Sequence, residues 1–177
     1  AKFNDTLAEL NSAQNQINAG YNEINKGFAE LETQKNSVLN ELNNEEATLD
    51  NSLATINSNL ANLGITTNSI AESITELNNQ ITSITNLLAS DTNPEYVTYQ
   101  AMLTNLNTLV SNLNSIQNGY TKINNARTQF DSTYNDTINT LNANKNNLDK
   151  EQETLNEGFK EYNANYAEFQ DEIAKGM

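Results

Sequence analysis

The sequence predicts an all-α fold, a long antiparallel coiled-coil hairpin of two arms with its turn near residues 90–94. Three observations carry that expectation. Apolar residues recur at alternating steps of four and three along both halves of the chain, the spacing of one helical seam. The only proline, Pro94, lies close to the midpoint. Aromatic residues make up only 7% of the chain, too few for the strands and turns of an all-β domain.

The first seam runs Phe3, Leu7, Leu10, Gln14, Ile17, Tyr21, Ile24, Phe28, Leu31, Lys35, Val38, Leu42. Ten of these twelve positions are apolar, a persistence that a disordered polar tract would not show. The next steps, to Glu46 and Leu49, insert a stutter that locally relaxes the supercoil. The seam then resumes through Leu53, Ile56, Leu60, Leu63, Thr67, Ile70, Ile74, Leu77, Ile81, Ile84 and Leu88. At the interruption, Asn93 suits a helix cap and Pro94 a first helical position, where its missing N–H costs nothing. The second arm reads Tyr99, Met102, Leu106, Leu109, Leu113, Ile116, Tyr120, Ile123, Arg127, Phe130, Tyr134. It blurs through Ile138, Leu141 and Leu148, then sharpens into Leu155, Phe159, Tyr162, Tyr166, Phe169 and Ile173.

Folding about residue 93 would set position i beside a position near 186 − i. Gly27 then faces Phe159, Gly158 faces Phe28 and Gly20 faces Tyr166, each glycine leaving room for a ring. Arms of nearly ninety residues would each extend roughly 130 Å at about 1.5 Å per residue. A second arrangement uses other glycines as hinges. Leu63-Gly64-Ile65 reads as a helix C-terminus with glycine at C′, and Ser69-Ile70-Ala71-Glu72 as a capping box. If Gly119 bent the other arm at the same height, residues 69–118 would fold back into a four-helix tip. Either way one elongated domain is expected, with residues 1–63 and 120–177 as shaft and 64–119 as the distal region.

Composition narrows the function. The chain has no histidine and no cysteine, so imidazole or thiol catalysis, zinc fingers and disulfides are excluded. The acidic pairs lack the spaced oxygen ligands and glycine turn of a calcium loop, so no metal or cofactor is expected. A net charge of −14 argues against nucleic acid, whose phosphates need clustered Lys and Arg. No stretch is long and apolar enough to span a membrane. Asparagine contributes 35 residues, and between Lys35 and Lys122 there is no basic residue at all, so the distal half offers shape and hydrogen bonding rather than ion pairs. Leu87, Leu88, Tyr96, Val97, Tyr99, Met102 and Leu103 crowd the tip, either as a partner-binding patch or as closure of the hairpin core. The chain is expected to be non-catalytic. Because a helical pattern is already under way at Ala1, it reads as a piece of a longer protein.

Glycine-punctuated seven-residue units occur at Gln16-Ile17-Asn18-Ala19-Gly20-Tyr21-Asn22-Glu23-Ile24-Asn25-Lys26-Gly27-Phe28-Ala29-Glu30-Leu31 and at Leu155-Asn156-Glu157-Gly158-Phe159-Lys160-Glu161-Tyr162, followed by Ala167-Glu168-Phe169-Gln170-Asp171-Glu172-Ile173-Ala174. They resemble the extracytoplasmic coiled-coil insertions of FtsX-like (MacB-superfamily) ABC transporter permeases of Gram-positive bacteria. They are also similar to the repeats of YhgE/Pip membrane proteins, a family associated with phage infection. The likeness covers about residues 7–35 and 150–175, with asparagine standing where those repeats favour charged residues. It implies a non-catalytic extracytoplasmic domain flanked by membrane spans of the same polypeptide, served by a cytoplasmic ATPase subunit and engaging a protein partner at its tip. The YhgE/Pip likeness implies instead a surface rod or phage-receptor ectodomain.

Overall fold

The computed structural model describes residues 2–89 and 95–176. Its fold is all-α: three helices, α1 (Lys2–Asn62), α2 (Ile70–Leu88) and α3 (Tyr96–Gly176), with no strand among the described residues. The predicted turn at 90–94, with Asn93 as cap and Pro94 as turn residue, lies outside the described residues.

Two compact units share these helices. The first comprises Ala1–Ser37 and Asp131–Met177, the second Val38–Phe130. In the first unit α1 and α3 run antiparallel, since low numbers on one meet high numbers on the other: Leu10 packs at Gly158, Leu148 at Gly20 and Leu141 at Gly27. Its buried apolar residues are Ile17, Ile24, Leu31 and Leu155, all seam positions. The second unit is a three-helix assembly. Ile56 and Leu60 of α1, Leu77 and Ile84 of α2, and Leu106, Leu113 and Ile116 of α3 form one buried cluster with Ile65 of the connecting loop. Leu60, Leu77 and Leu113 are 0–1% exposed, so each of the three helices contributes one leucine to the centre of this core.

The break between α1 and α2 is written locally. Gly64 has φ +75°, the left-handed conformation that glycine adopts without a Cβ penalty. Its N–H donates to the Ala61 carbonyl at 3.0 Å and the Ile65 N–H to the Leu60 carbonyl at 2.9 Å. That is a Schellman motif, and its usual apolar contact is present, because Ile65 and Leu60 share the buried cluster. Five residues later Ser69 caps α2: its side chain accepts from the Glu72 N–H at 3.1 Å. The Glu72 carboxylate accepts in return from the Asn68 N–H at 3.0 Å, one residue earlier than the usual reciprocal bond. Buried Ser73, 2% exposed, pairs its hydroxyl with that of Thr67 at 2.5 Å.

Three expectations are corrected. The first seam does not continue as one helix from Leu60 to Ile70, because α1 ends at Asn62. The second hinge is absent: Gly119 lies inside α3, which continues through it. Finally, α1 residue i faces a position near 168 − i, not 186 − i, as Gly20 with Leu148 and Gly27 with Leu141 show. Gly20 therefore does not face Tyr166, nor Gly27 Phe159, nor Gly158 Phe28. The reason is the asymmetry of the helices. A midpoint turn assumes two equal arms, but α1 has 61 residues and α3 has 81, with a 19-residue helix between them.

Candidate interaction site

The seam of the first unit is built on glycine notches. A Cβ on Gly20 would sit 2.9 Å from a Leu148 methyl, one on Gly27 3.0 Å from Leu141, and one on Gly158 3.1 Å from Leu10. Small residues thus accept branched aliphatic side chains from the opposite helix rather than rings. Phe28 and Phe159 are half-buried. Gly119 does the same work in the second unit, where Leu49 reaches within 2.8 Å of its missing Cβ.

Polar contacts cross between α1 and α3 at several heights. In the first unit Gln14 Nε2 donates to Gln152 Oε1 at 2.7 Å, and Gln152 Nε2 donates back to Gln14 Oε1 at 2.8 Å. Tyr21 OH donates to Asp149 Oδ1 at 2.6 Å, and Tyr134 OH to Glu32 Oε2 at 3.2 Å. In the second unit Tyr120 OH donates to Asp50, and Arg127 Nη2 to both Glu46 Oε2 at 2.6 Å and Asn43 Oδ1 at 2.8 Å. These bonds move the titrations of their members. The hydrogen bond to Asp149 raises the Tyr21 phenol to about 12, with desolvation adding to it. Desolvation, followed by the bond to Asp50, raises Tyr120 to about 12. The Tyr21 bond holds Asp149 below the usual carboxylate range, assisted by Lys145. The bond to Glu46 raises Arg127 further.

The seven residues expected at the tip divide in two. Leu88, Tyr99 and Leu103 pack against the buried cluster of the second unit, so they close the core. Leu87, Tyr96, Val97 and Met102 are exposed, Val97 by 80%. On α3 these do not share one face: at roughly 100° per residue, Tyr96 and Met102 flank the buried stripe and Val97 lies on the far side. Tyr96 also accepts a hydrogen bond from Gln100 Nε2 at 3.0 Å.

A second apolar surface lies where the α1 and α3 ends of the first unit meet. Phe3 gathers Tyr162, Tyr166 and Phe169 around it, with ring centroids 6.0, 5.5 and 5.1 Å away. Tyr166, Phe169 and Ile173 nevertheless stay 40–42% exposed. The seam spacing continues along α3 through these residues, and that spacing was the available signal.

No described helix is long and apolar enough to cross a membrane. Comparison with known proteins matched the chain to no family model, no curated protein and no solved structure.

Proposed function

We propose that this chain is a non-catalytic, extracytoplasmic helical domain of a membrane transporter permease, which engages a protein partner and carries motion to it. The observation that carries this reading is the closeness of the two ends of the first unit. Phe3, the second residue of α1, packs on Tyr162, Tyr166 and Phe169 in the last turns of α3. A segment inserted between two membrane spans must return both its ends to one bilayer face, and this arrangement satisfies that requirement.

The glycine-punctuated repeats at 16–28 and 155–162 support the FtsX-like assignment by resemblance. In that setting, hydrolysis by a cytoplasmic ATPase subunit would move the spans, and the helices would pass the displacement outward. The partner surface on this reading comprises Leu87, Tyr96 and Met102, while Val97, on the far side of α3, lies outside it. Apolar side chains exposed beside a rigid core suit protein contact better than small-molecule binding.

Cysteine labelling tests the location directly, because none of these 177 residues is a cysteine and the unsubstituted full polypeptide supplies the background. Asn78→Cys in the full polypeptide should react with a membrane-impermeant maleimide on intact cells. Labelling that occurs only after lysis would sink the extracytoplasmic reading. Crosslinked membranes should also yield an ATPase subunit with the chain; a surface rod or receptor would leave that subunit out.

A further inference from the structure

The glycine notches and the polar contacts of the first unit make different demands on helix register. In the observed register Gly20 receives Leu148, Gly27 receives Leu141 and Gly158 receives Leu10. A slip of one heptad, which brings each α1 residue opposite a position seven higher on α3, offers Gly20 to Leu155, Gly27 to Leu148 and Gly158 to Ile17. Every notch again meets a branched aliphatic side chain. The notch of the second unit follows the same arithmetic, since Gly119 would exchange Leu49 for Ile56. A slip the other way is penalised, because it brings Tyr134 to Gly27 and Phe3 to Gly158. The glycine notches alone therefore accept two registers.

The amide pair accepts one. Gln14 and Gln152 exchange both of their possible head-to-head bonds, at 2.7 and 2.8 Å. Each amide is also oriented from its own helix: Gln14 Nε2 donates to Asn18 Oδ1 and Gln152 Nε2 to Asn156 Oδ1, both at 3.0 Å. The slipped register would set Gln14 against Phe159 and Gln152 against Tyr21. Both amides are half-buried, and each would lose an amide partner for a ring face. Polar residues placed singly in an apolar helix seam are known to select register in this manner, at some expense in stability.

We infer that the Gln14–Gln152 amide pair selects the helix register of the first unit against an alternative one heptad away, which the glycine notches accept equally. The inference concerns the helix pair itself and stands independently of what the chain is joined to.

Spin labels on the exposed positions Asn11→Cys and Asn144→Cys read the register as a distance. Thirteen residues separate Asn144 from the position opposite Asn11, about 20 Å along the axis; the slip would lengthen this by about 10 Å. With both glutamines present a single, shorter distance is expected. Moving the partner by one heptad (Gln152→Leu with Phe159→Gln) rebuilds the amide pair at 14 and 159, so the longer distance should dominate. Gln14→Leu with Gln152→Leu removes the preference, so both distances should be populated. This second variant adds apolar seam and keeps good helix formers, so it stays folded if the first does not. The shorter distance alone in every folded variant would overturn the inference; the longer distance in either supports it.

Discussion

Gln14, Lys35, Glu46, Thr67 and Arg127 interrupt an otherwise apolar seam, and each interruption has a partner. Gln14 meets Gln152, Glu46 meets Arg127, and Thr67 meets Ser73. Lys35 Nζ lies 5.0 Å from the centre of the Tyr134 ring. The sequence marks these positions as exceptions, yet it cannot pair them, because pairing needs the register. Gly64 is different, since its conformation is local. Gly64→Ala should destabilise the second unit by about 1 kcal/mol, the penalty for a Cβ at positive φ. Nothing lies within 4 Å of the added atom, so the loss, read by thermal melting, is conformational rather than steric. Tyr21 and Tyr120 predict an alkaline transition. Their phenols ionise near 12 in the folded state against 10.0 ordinarily, so their contribution is complete below pH 10 and disappears as pH rises towards 12. Asp149 has the opposite sign: its depressed value favours the fold above the ordinary 3.8 and fails as pH falls below it. Tyr21→Phe should remove its share of the alkaline loss and weaken the depression of Asp149, to which Lys145 also contributes. Ultraviolet titration of the phenols and carboxyl chemical shifts would show it.

At the scale of elements, α2 is the piece most completely written in sequence. Ser69 and Glu72 form the predicted cap, Gly64 supplies the preceding stop, and Ile70, Ile74, Leu77, Ile81 and Ile84 supply one apolar stripe. Ser69→Ala removes the acceptor for the Glu72 N–H and should cost about 1 kcal/mol. Hydrogen exchange should detect this as lost protection in the first turn of α2, while amides in the middle of α3 stay protected. Helix α3 carries the opposite lesson. Gly119 follows Asn118, and a midpoint turn would set it near the height of Gly64, so sequence alone permits a hinge there. Helix α3 nevertheless continues, because Leu49 fills the space beside Gly119 and the flanking Ile116 and Ile123 are buried. A glycine in a helix weakens it by roughly 1 kcal/mol relative to alanine, a deficit that packing over a long helix easily outweighs. Leu113→Ala, at a 0% exposed position, should lower the stability of the second unit by about 2–5 kcal/mol. Denaturant unfolding monitored by circular dichroism measures it.

For the molecule as a whole, 23 acidic residues against 9 basic ones leave a net charge of −14. Repulsion should dominate the ionic-strength response, so added sodium chloride should raise the melting temperature, as screening within about 10 Å relieves it at ~0.1 M. A fall instead would mean that the attractive pairs outweigh the excess charge. The helical class, the seam, the Gly64 stop and the Ser69 cap were all determined by sequence, because each depends on residues within a few turns of one another. Tertiary structure alone decided that α1 pairs with α3 near 168 − i, that Gly119 stays within its helix, and which tip residues are covered. A heptad pattern repeats itself every seven residues, so it states which face of a helix is buried and leaves open which heptad of the partner covers it. Only the contacts that do not repeat, such as Gln14 with Gln152 and Arg127 with Glu46, distinguish one register from the next.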